Sequence, residues 1–230
     1  MAFLLLLLFL PAEIRPTPSH PDHQRSGVTY AVRTSRRVVA LTFNDGPSPW
    51  TPRFLAILEA FRDPATFFVL GTQVAQYPDI VRQEIWLGME VGNHTFGHIN
   101  LAQHSFAHDY RDLAETNRLV AEVTGSTPTV MRPPYGAYNA SSLRAASLAG
   151  LRVILWSATE NSGNWKNPGV ASIVARVMRH LAPGDIILFH DAGSHLGSTL
   201  RALPVILKDL RALGYRCVTV SELLKVQYGN

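Results

Sequence analysis

The run Val38-Val39-Ala40-Leu41-Thr42-Phe43-Asn44-Asp45-Gly46-Pro47 decides how this chain is read. Its first half is apolar and β-branched, the composition of a short buried strand, and it breaks at Gly46-Pro47, a pair that marks a turn. The strand delivers two polar side chains, Asn44 and Asp45, at its carboxyl end. In α/β proteins chemistry gathers there, because the strand fixes position and the loop gives access. Taken alone, the same letters also describe a strand end followed by an ordinary Asn-Asp-Gly turn. The weight therefore falls on the rest of the chain.

Working outward, strand-like apolar runs recur at 65–70, 89–92, 129–132, 151–156, 185–190 and 215–220, after the first at 38–43. Helix-spaced segments separate them at 51–61, 80–87, 106–123, 139–148, 170–181 and 199–213. Phe54, Ile57, Leu58 and Phe61 share one helix face, and Gly125, Gly150, Gly184 and Gly214 follow helix ends. Strands separated by helices pair in parallel, since a parallel return needs a crossover. The expected fold is α/β, a β/α barrel of about seven units or a doubly wound sheet.

The length of 230 residues, 47% hydrophobic and 17% charged, suits one domain with a sizeable core. The expected division is an apolar leader or anchor at 1–12, a Pro- and His-rich linker at 13–27, and a folded domain at 28–230. Residues 1–10 are too short for a transmembrane span and resemble the core of a signal peptide, although no positive residue precedes it. A secreted or cell-surface, membrane-anchored location is the expectation, with membrane contact only through that leader. A net charge of +4 without a dense Lys/Arg block argues against nucleic acid and suits an anionic surface such as a cell wall. The single cysteine, Cys217, rules out an intrachain disulfide and a thiolate cluster, and reads as a small core residue.

Read in order, the strand ends give Asn44-Asp45, then Asn93-His94-Thr95-Phe96-Gly97-His98, Arg132-Pro133-Pro134-Tyr135, Trp156-Ser157 and His190-Asp191. His94 and His98, four apart, would face the same way on a helical turn. With Asp45 they would make a two-His, one-carboxylate site suited to zinc, and also to Fe(II), cobalt or nickel. A second pair of the same spacing, His104 and His108, lies at a helix start and reads as surface or capping histidines. The sequon at Asn93 is taken as accidental, because a residue beside a metal ligand is too enclosed for a glycan.

These motifs resemble, in order and spacing, those of the polysaccharide deacetylases, the NodB-homology or carbohydrate esterase family 4. The motifs are Thr42-Phe43-Asn44-Asp45-Gly46-Pro47, His94-Thr95-x-x-His98, Arg132-Pro133-Pro134-Tyr135 and Ile186-Ile187-Leu188-Phe189-His190. The resemblance implies a distorted (β/α)7 barrel that removes N-acetyl groups from amino sugars or O-acetyl groups from xylan. By motif position, Asp45, His94 and His98 would hold a divalent metal, zinc or cobalt, and His190 would be the general acid. Arg132 would position the base, the Tyr135 N–H would hold the oxyanion, and Leu188 and Trp165 would line the acetyl pocket.

Two positions depart from the family pattern. The first motif normally has two aspartates, the first of them the catalytic base, and here it is Asn44. A neutral amide cannot accept a proton from water, and general acid–base help contributes roughly 10²–10⁴ in rate. In the loop after the fifth of these strands, Asn164 replaces the aspartate that tunes the catalytic histidine. Glu160, the only carboxylate in that loop, is a candidate substitute or a solvated loop charge. Three readings stay open: a deacetylase of peptidoglycan or chitin-type polymers with reduced activity, a metal- and glycan-binding protein without turnover, and an unrelated metal hydrolase on the same architecture.

Overall fold

The computed structural model describes residues 24–25 and 27–226; the leader at 1–12 and most of the linker lie outside them. Two short strands, β1 (Gln24–Arg25) and β2 (Val28–Thr29), form an antiparallel pair. Then follow β3 (Val38–Asn44), α1 (Thr51–Phe61), β4 (Thr66–Val69), α2 (Gly71–Gln76), α3 (Pro78–Trp86) and β5 (Glu90–Asn93). After these come α4 (Phe106–Thr124), β6 (Val130–Met131), α5 (Ala140–Leu148), β7 (Arg152–Ile154), α6 (Val170–Met178) and β8 (Ile186–His190). The described chain ends with α7 (Gly197–Ala212), β9 (Arg216–Cys217) and α8 (Val220–Val226). Among the described residues no helix is long and apolar enough to cross a membrane.

The strands lie in the order β1-β2-β7-β6-β5-β4-β3-β8, with β9 also on β3. Apart from β1 with β2, every pairing is parallel, as the alternation of strands and helices requires. The barrel is distorted where β7 and β8 would meet, because an irregular segment stands in for a strand. Ser157 N–H donates to Ile186 O at 3.0 Å, Leu188 N–H to Glu160 O at 2.9 Å, and Ser162 N–H to Leu188 O at 3.2 Å.

β3 shows why the strand ends carry the site. Val39, Leu41 and Phe43 point to the helical layer, where Phe43 packs on Phe54 of α1, Phe67 of β4 and Phe189 of β8 at centroid distances of 5.4, 4.9 and 5.5 Å. Val38 and Ala40 point into the barrel, whose floor is closed by Val220, Leu223 and Leu224 of α8. The period of two therefore turns Thr42 and Asn44 inward above that floor. Cys217 is a buried, free thiol, as its apolar neighbours imply.

Three regions differ from the sequence expectation. The expected strand at 215–220 keeps only two residues, because Val220, Leu223 and Leu224 fall on one helix face that plugs the barrel floor. The short α2 has too few apolar positions to show a period. β1 and β2 are too short for alternation to be visible, and β2 gains its place by pairing with β7.

Candidate functional site

Asp45 follows β3 directly and adopts a left-handed conformation with φ 74°. That turn is possible because Gly46 lies flat against Asp191: a Cβ there would sit 2.3 Å from Asp191 Oδ2. Thr51 Oγ1 donates to the same carboxylate, and Ser48 Oγ donates to Asp191 O at 2.6 Å, so the loop after β3 is fastened to the end of β8. Asp45 Oδ1 consequently faces His94 Nε2 at 3.2 Å and His98 Nε2 at 3.4 Å. The three ligand atoms all lie within 4.8 Å of one another. The two histidines come from the loop after β5, not from a helical turn. Thr95 and His98 both have positive φ, 70° and 58°, and this local strain folds the loop so that both rings meet Asp45.

The other ring nitrogens are already committed. His94 Nδ1 lies 2.6 Å from Arg132 O, and a carbonyl can only accept, so Nδ1 carries the proton of the neutral ring and Nε2 turns a lone pair toward Asp45. His98 Nδ1 meets the Tyr135 hydroxyl at 3.1 Å. Burial pushes His94 below the usual histidine range, against the opposing pull of Asp45. Burial also opposes charge on Asp45, but its contacts with His94 and His98 outweigh it and hold the carboxyl far below the usual carboxylate range. A carboxylate oxygen faced by two imidazole Nε2 atoms, each ring oriented from behind by a hydrogen bond at Nδ1, is a donor set that fits a divalent cation.

Below this cluster Arg132 is completely buried. It donates to Thr42 Oγ1 at 2.8 Å, Asn44 Oδ1 at 2.9 Å and Leu155 O at 2.8 Å, and its guanidinium lies 4.2 Å from the Phe68 ring centroid. Every acceptor is neutral, and among the described residues no carboxylate pairs with it. Burial pushes the guanidinium down to about 9, so it remains charged at neutral pH. Arg132 thus stands behind the groove and holds Asn44, the residue at the position where the family pattern has the base. Two strand ends, those of β3 and β7, claim these donors.

His190 ends β8 directly beside Asn44. Its Nδ1 lies 2.9 Å from Asn164 Oδ1, while Asn164 Nδ2 donates to His190 O at 2.9 Å. Burial pushes His190 down to about 4, with His94 and Arg132 adding to the effect and Asp45 opposing it. Asn164 offers no charge to reverse this. Glu160 does not substitute: it is fully buried and absent from the groove wall. Burial, reinforced by Asp185, pushes its carboxyl up to about 8. The groove, of about 450 Å³, is also lined by the exposed Tyr135 and Trp165 and by Leu188.

The match between chain and family is extensive. Residues 31–154 fit the description "Polysaccharide deacetylase". A peptidoglycan-N-acetylglucosamine deacetylase of Bacillus cereus is 38% identical over 87% of this chain, which spans 94% of that protein. The chain belongs to the polysaccharide deacetylase family. The relatives named as deacetylases support a hydrolase acting on carbon–nitrogen bonds, and this grouping supersedes the reading of an unrelated hydrolase. A chitooligosaccharide deacetylase of Bradyrhizobium is 33% identical over 84% of the chain, and the chain spans 94% of it. Of the Listeria monocytogenes deacetylase PgdA, 38% identical, the chain spans only 41%. Among solved structures, the peptidoglycan N-acetylglucosamine deacetylase Bc1960 superposes with a TM-score of 0.82 at 31% identity, covering 86% of this chain and 92% of that one. The wild-type BA3943 of Bacillus anthracis, described as a CE4 family pseudoenzyme, superposes with a TM-score of 0.81 at 29% identity, covering 86% and 69%.

Within this deacetylase framework the structure brings Asp45, His94, His98, Tyr135, Trp165, Leu188 and His190 to one groove. His104 and His108 stack on each other at 4.5 Å, exposed at the Ser105-capped start of α4 and apart from it. Asn93 of the sequon is fully buried and donates to Leu113 O and Asn117 Oδ1, both at 2.9 Å. Sequence reasoning missed Asn161, which lines the groove from the closing segment, and Asp191, whose role rests on a contact with Gly46. Neither shows a local signal beyond lying next to a recognised motif.

Proposed function

We propose that this protein is a divalent-metal-dependent deacetylase, with zinc or cobalt as the cation, acting on N-acetylated sugars of a peptidoglycan or chitin-type polymer, and that it works slowly. The observation that carries this is the convergence of two imidazole Nε2 atoms and the Asp45 carboxylate in an open groove that also holds His190. Asp45, His94 and His98 would hold the cation, which supplies Lewis acidity that lowers the pKa of water and polarises an acetyl carbonyl. His190, with Nδ1 held by Asn164, is left with Nε2 to pass a proton to the departing amine. The Tyr135 N–H, on a residue with φ 61°, is the proposed donor to the developing oxyanion. Asn44 cannot take the proton from water, and His190 is rarely charged at neutral pH; both slow the reaction.

A second reading, a metal- and glycan-binding protein without turnover, is supported by Asn44 and Asn164 together and by the likeness to a protein described as a pseudoenzyme. The two separate with purified protein, added zinc or cobalt, and an acetylated chito-oligosaccharide or peptidoglycan. Acetate release that disappears in His94→Ala supports the enzyme; calorimetric glycan binding without acetate supports the binder. We also propose a secreted or cell-surface location, since such polymers lie outside the cytoplasm and residues 1–10 are apolar; recovery in the cytoplasmic fraction alone would contradict it.

A further inference from the structure

We propose that a basic groove next to the active-site groove binds an anionic, carboxylate-bearing neighbour of the sugar that is deacetylated. The proposal rests on the glycan-acting function above and narrows its substrate to acidic glycan strands. This second groove, of about 570 Å³, is lined by Thr159, Asn161, Ser172, Arg176, Arg179 and His180. Asn161 also lines the active-site groove, so the two share a wall. Arg176 lies in the last turn of α6, Arg179 is its C-cap and His180 follows; all three are exposed and line this one groove.

Among the described residues no carboxylate forms an ion pair with Arg176 or Arg179. Three helix arginines are paired, Arg82 with Asp79, Arg118 with Glu115 and Glu122, and Arg211 with Asp63, whereas Arg53, Arg111, Arg144 and Arg201 have no ion pair among the described residues. Between 151 and 184 the sequence has Arg152, Lys166, Arg176 and Arg179 but a single carboxylate, Glu160, and that one is buried. Lys166 adds a cation beside the groove aromatic Trp165, with Nζ 4.8 Å from its ring centroid. A helix carboxyl end attracts cations through its dipole, which explains basic residues there but leaves the groove positive.

The link to the reacting sugar is also built in. The Arg176 guanidinium lies against the backbone of Gly163, where a Cβ would come 3.3 Å from Nη1. Gly163 immediately precedes Asn164 and Trp165, so the arginine borders the loop that shapes the active site. A forked guanidinium matches a carboxylate in two parallel hydrogen bonds, and a second arginine three residues on enlarges the target. A neutral chitin-type oligomer has nothing to place here, whereas a strand with lactyl or peptide carboxylates does.

Calorimetry on the full chain would compare a neutral N-acetylated tetrasaccharide with one of equal length bearing a lactyl carboxylate on alternate sugars. The expected result is binding of the acidic oligomer roughly three- to tenfold tighter at low salt, as two exposed charge pairs allow, with the advantage shrinking at high salt. Arg176→Gln with Arg179→Gln should abolish the preference and leave the neutral oligomer unaffected, and Arg176→Lys should retain most of it. Equal affinity for the two oligomers in the wild type overturns the proposal. So does a double variant that weakens both alike, since that is the mark of a structural role. If the neutral oligomer binds and the acidic one is not preferred, only this proposal fails; if neither binds, the glycan-acting function fails with it.

Discussion

Asn44 Oδ1 accepts from Arg132 Nη1 at 2.9 Å, and the buried guanidinium finds only neutral partners among the described residues. A carboxylate at that position would serve as a base and as a counter-ion. We predict that Asn44→Asp raises acetate release from a chito-oligosaccharide by roughly 10²–10⁴ and also raises the melting temperature; an unchanged or lower rate would show that Asn44 is no handicap. His190 presents the same problem in another form. Its imidazole, at about 4, is neutral in the folded protein at pH 7, and Asn164 Oδ1 stabilises no charge. Asn164→Asp should move the titration of His190 upward, toward or above the ordinary histidine value, because a carboxylate beside Nδ1 favours the imidazolium. A ring-proton NMR titration reads this directly, and a midpoint that stays near 4 counts against it.

At the scale of elements, β3 ties stability to chemistry. Its outward residue Phe43 is the hub of three aromatic contacts, and Phe43→Ala should cost about 3–5 kcal/mol in chemical denaturation. Its inward residues and the turn beyond them aim the site. Gly46→Ala would drive a Cβ into the Asp191 carboxylate, so the turn that presents Asp45 must shift. A loss of zinc affinity of at least about tenfold is expected, in line with displaced metal-site support; normal affinity by calorimetry would show that Asp191 and Gly46 do not position Asp45. The strand and its turn were legible in the letters, since a continuous apolar run and a Gly-Pro break are local signals. The short α2 and the shortening of the expected strand at 215–220 to two residues before a helix were not, because packing against the barrel decided them.

For the whole molecule, the irregular closure between β7 and β8 introduces a pH dependence. It buries Glu160, whose carboxyl burial and Asp185 push up to about 8, well above the ordinary value of an unfolded glutamate. Between those two values the folded chain binds the extra proton, so this group makes stability fall as pH rises from about 4.5 to about 8. His190 acts with the opposite sign: depressed to about 4, it makes stability fall as pH drops below about 6.5. Glu160→Gln removes the first effect. Its denaturation free energy should exceed that of the wild type by on the order of 3 kcal/mol at pH 8 and match it near pH 4.5; a difference independent of pH would refute this.

The family resemblance implied the barrel and the role of His190, while the chain's periodicities and the chemistry of its strand ends gave, without coordinates, an α/β fold and the grouping of Asp45 with His94 and His98. The fold and the grouping rest on local signals: apolar runs, helical spacing, and polar residues where a strand stops. Only the tertiary structure decided what each group faces. Arg132 meets Asn44 across 88 positions of sequence, and Asn164 meets His190 across 26. It also decided that Glu160 is sealed away from the groove, and that Arg176 and Arg179 lie beside it with no ion pair among the described residues. Strand register and loop packing set those meetings, and neither is encoded in the spacing of the residues that meet.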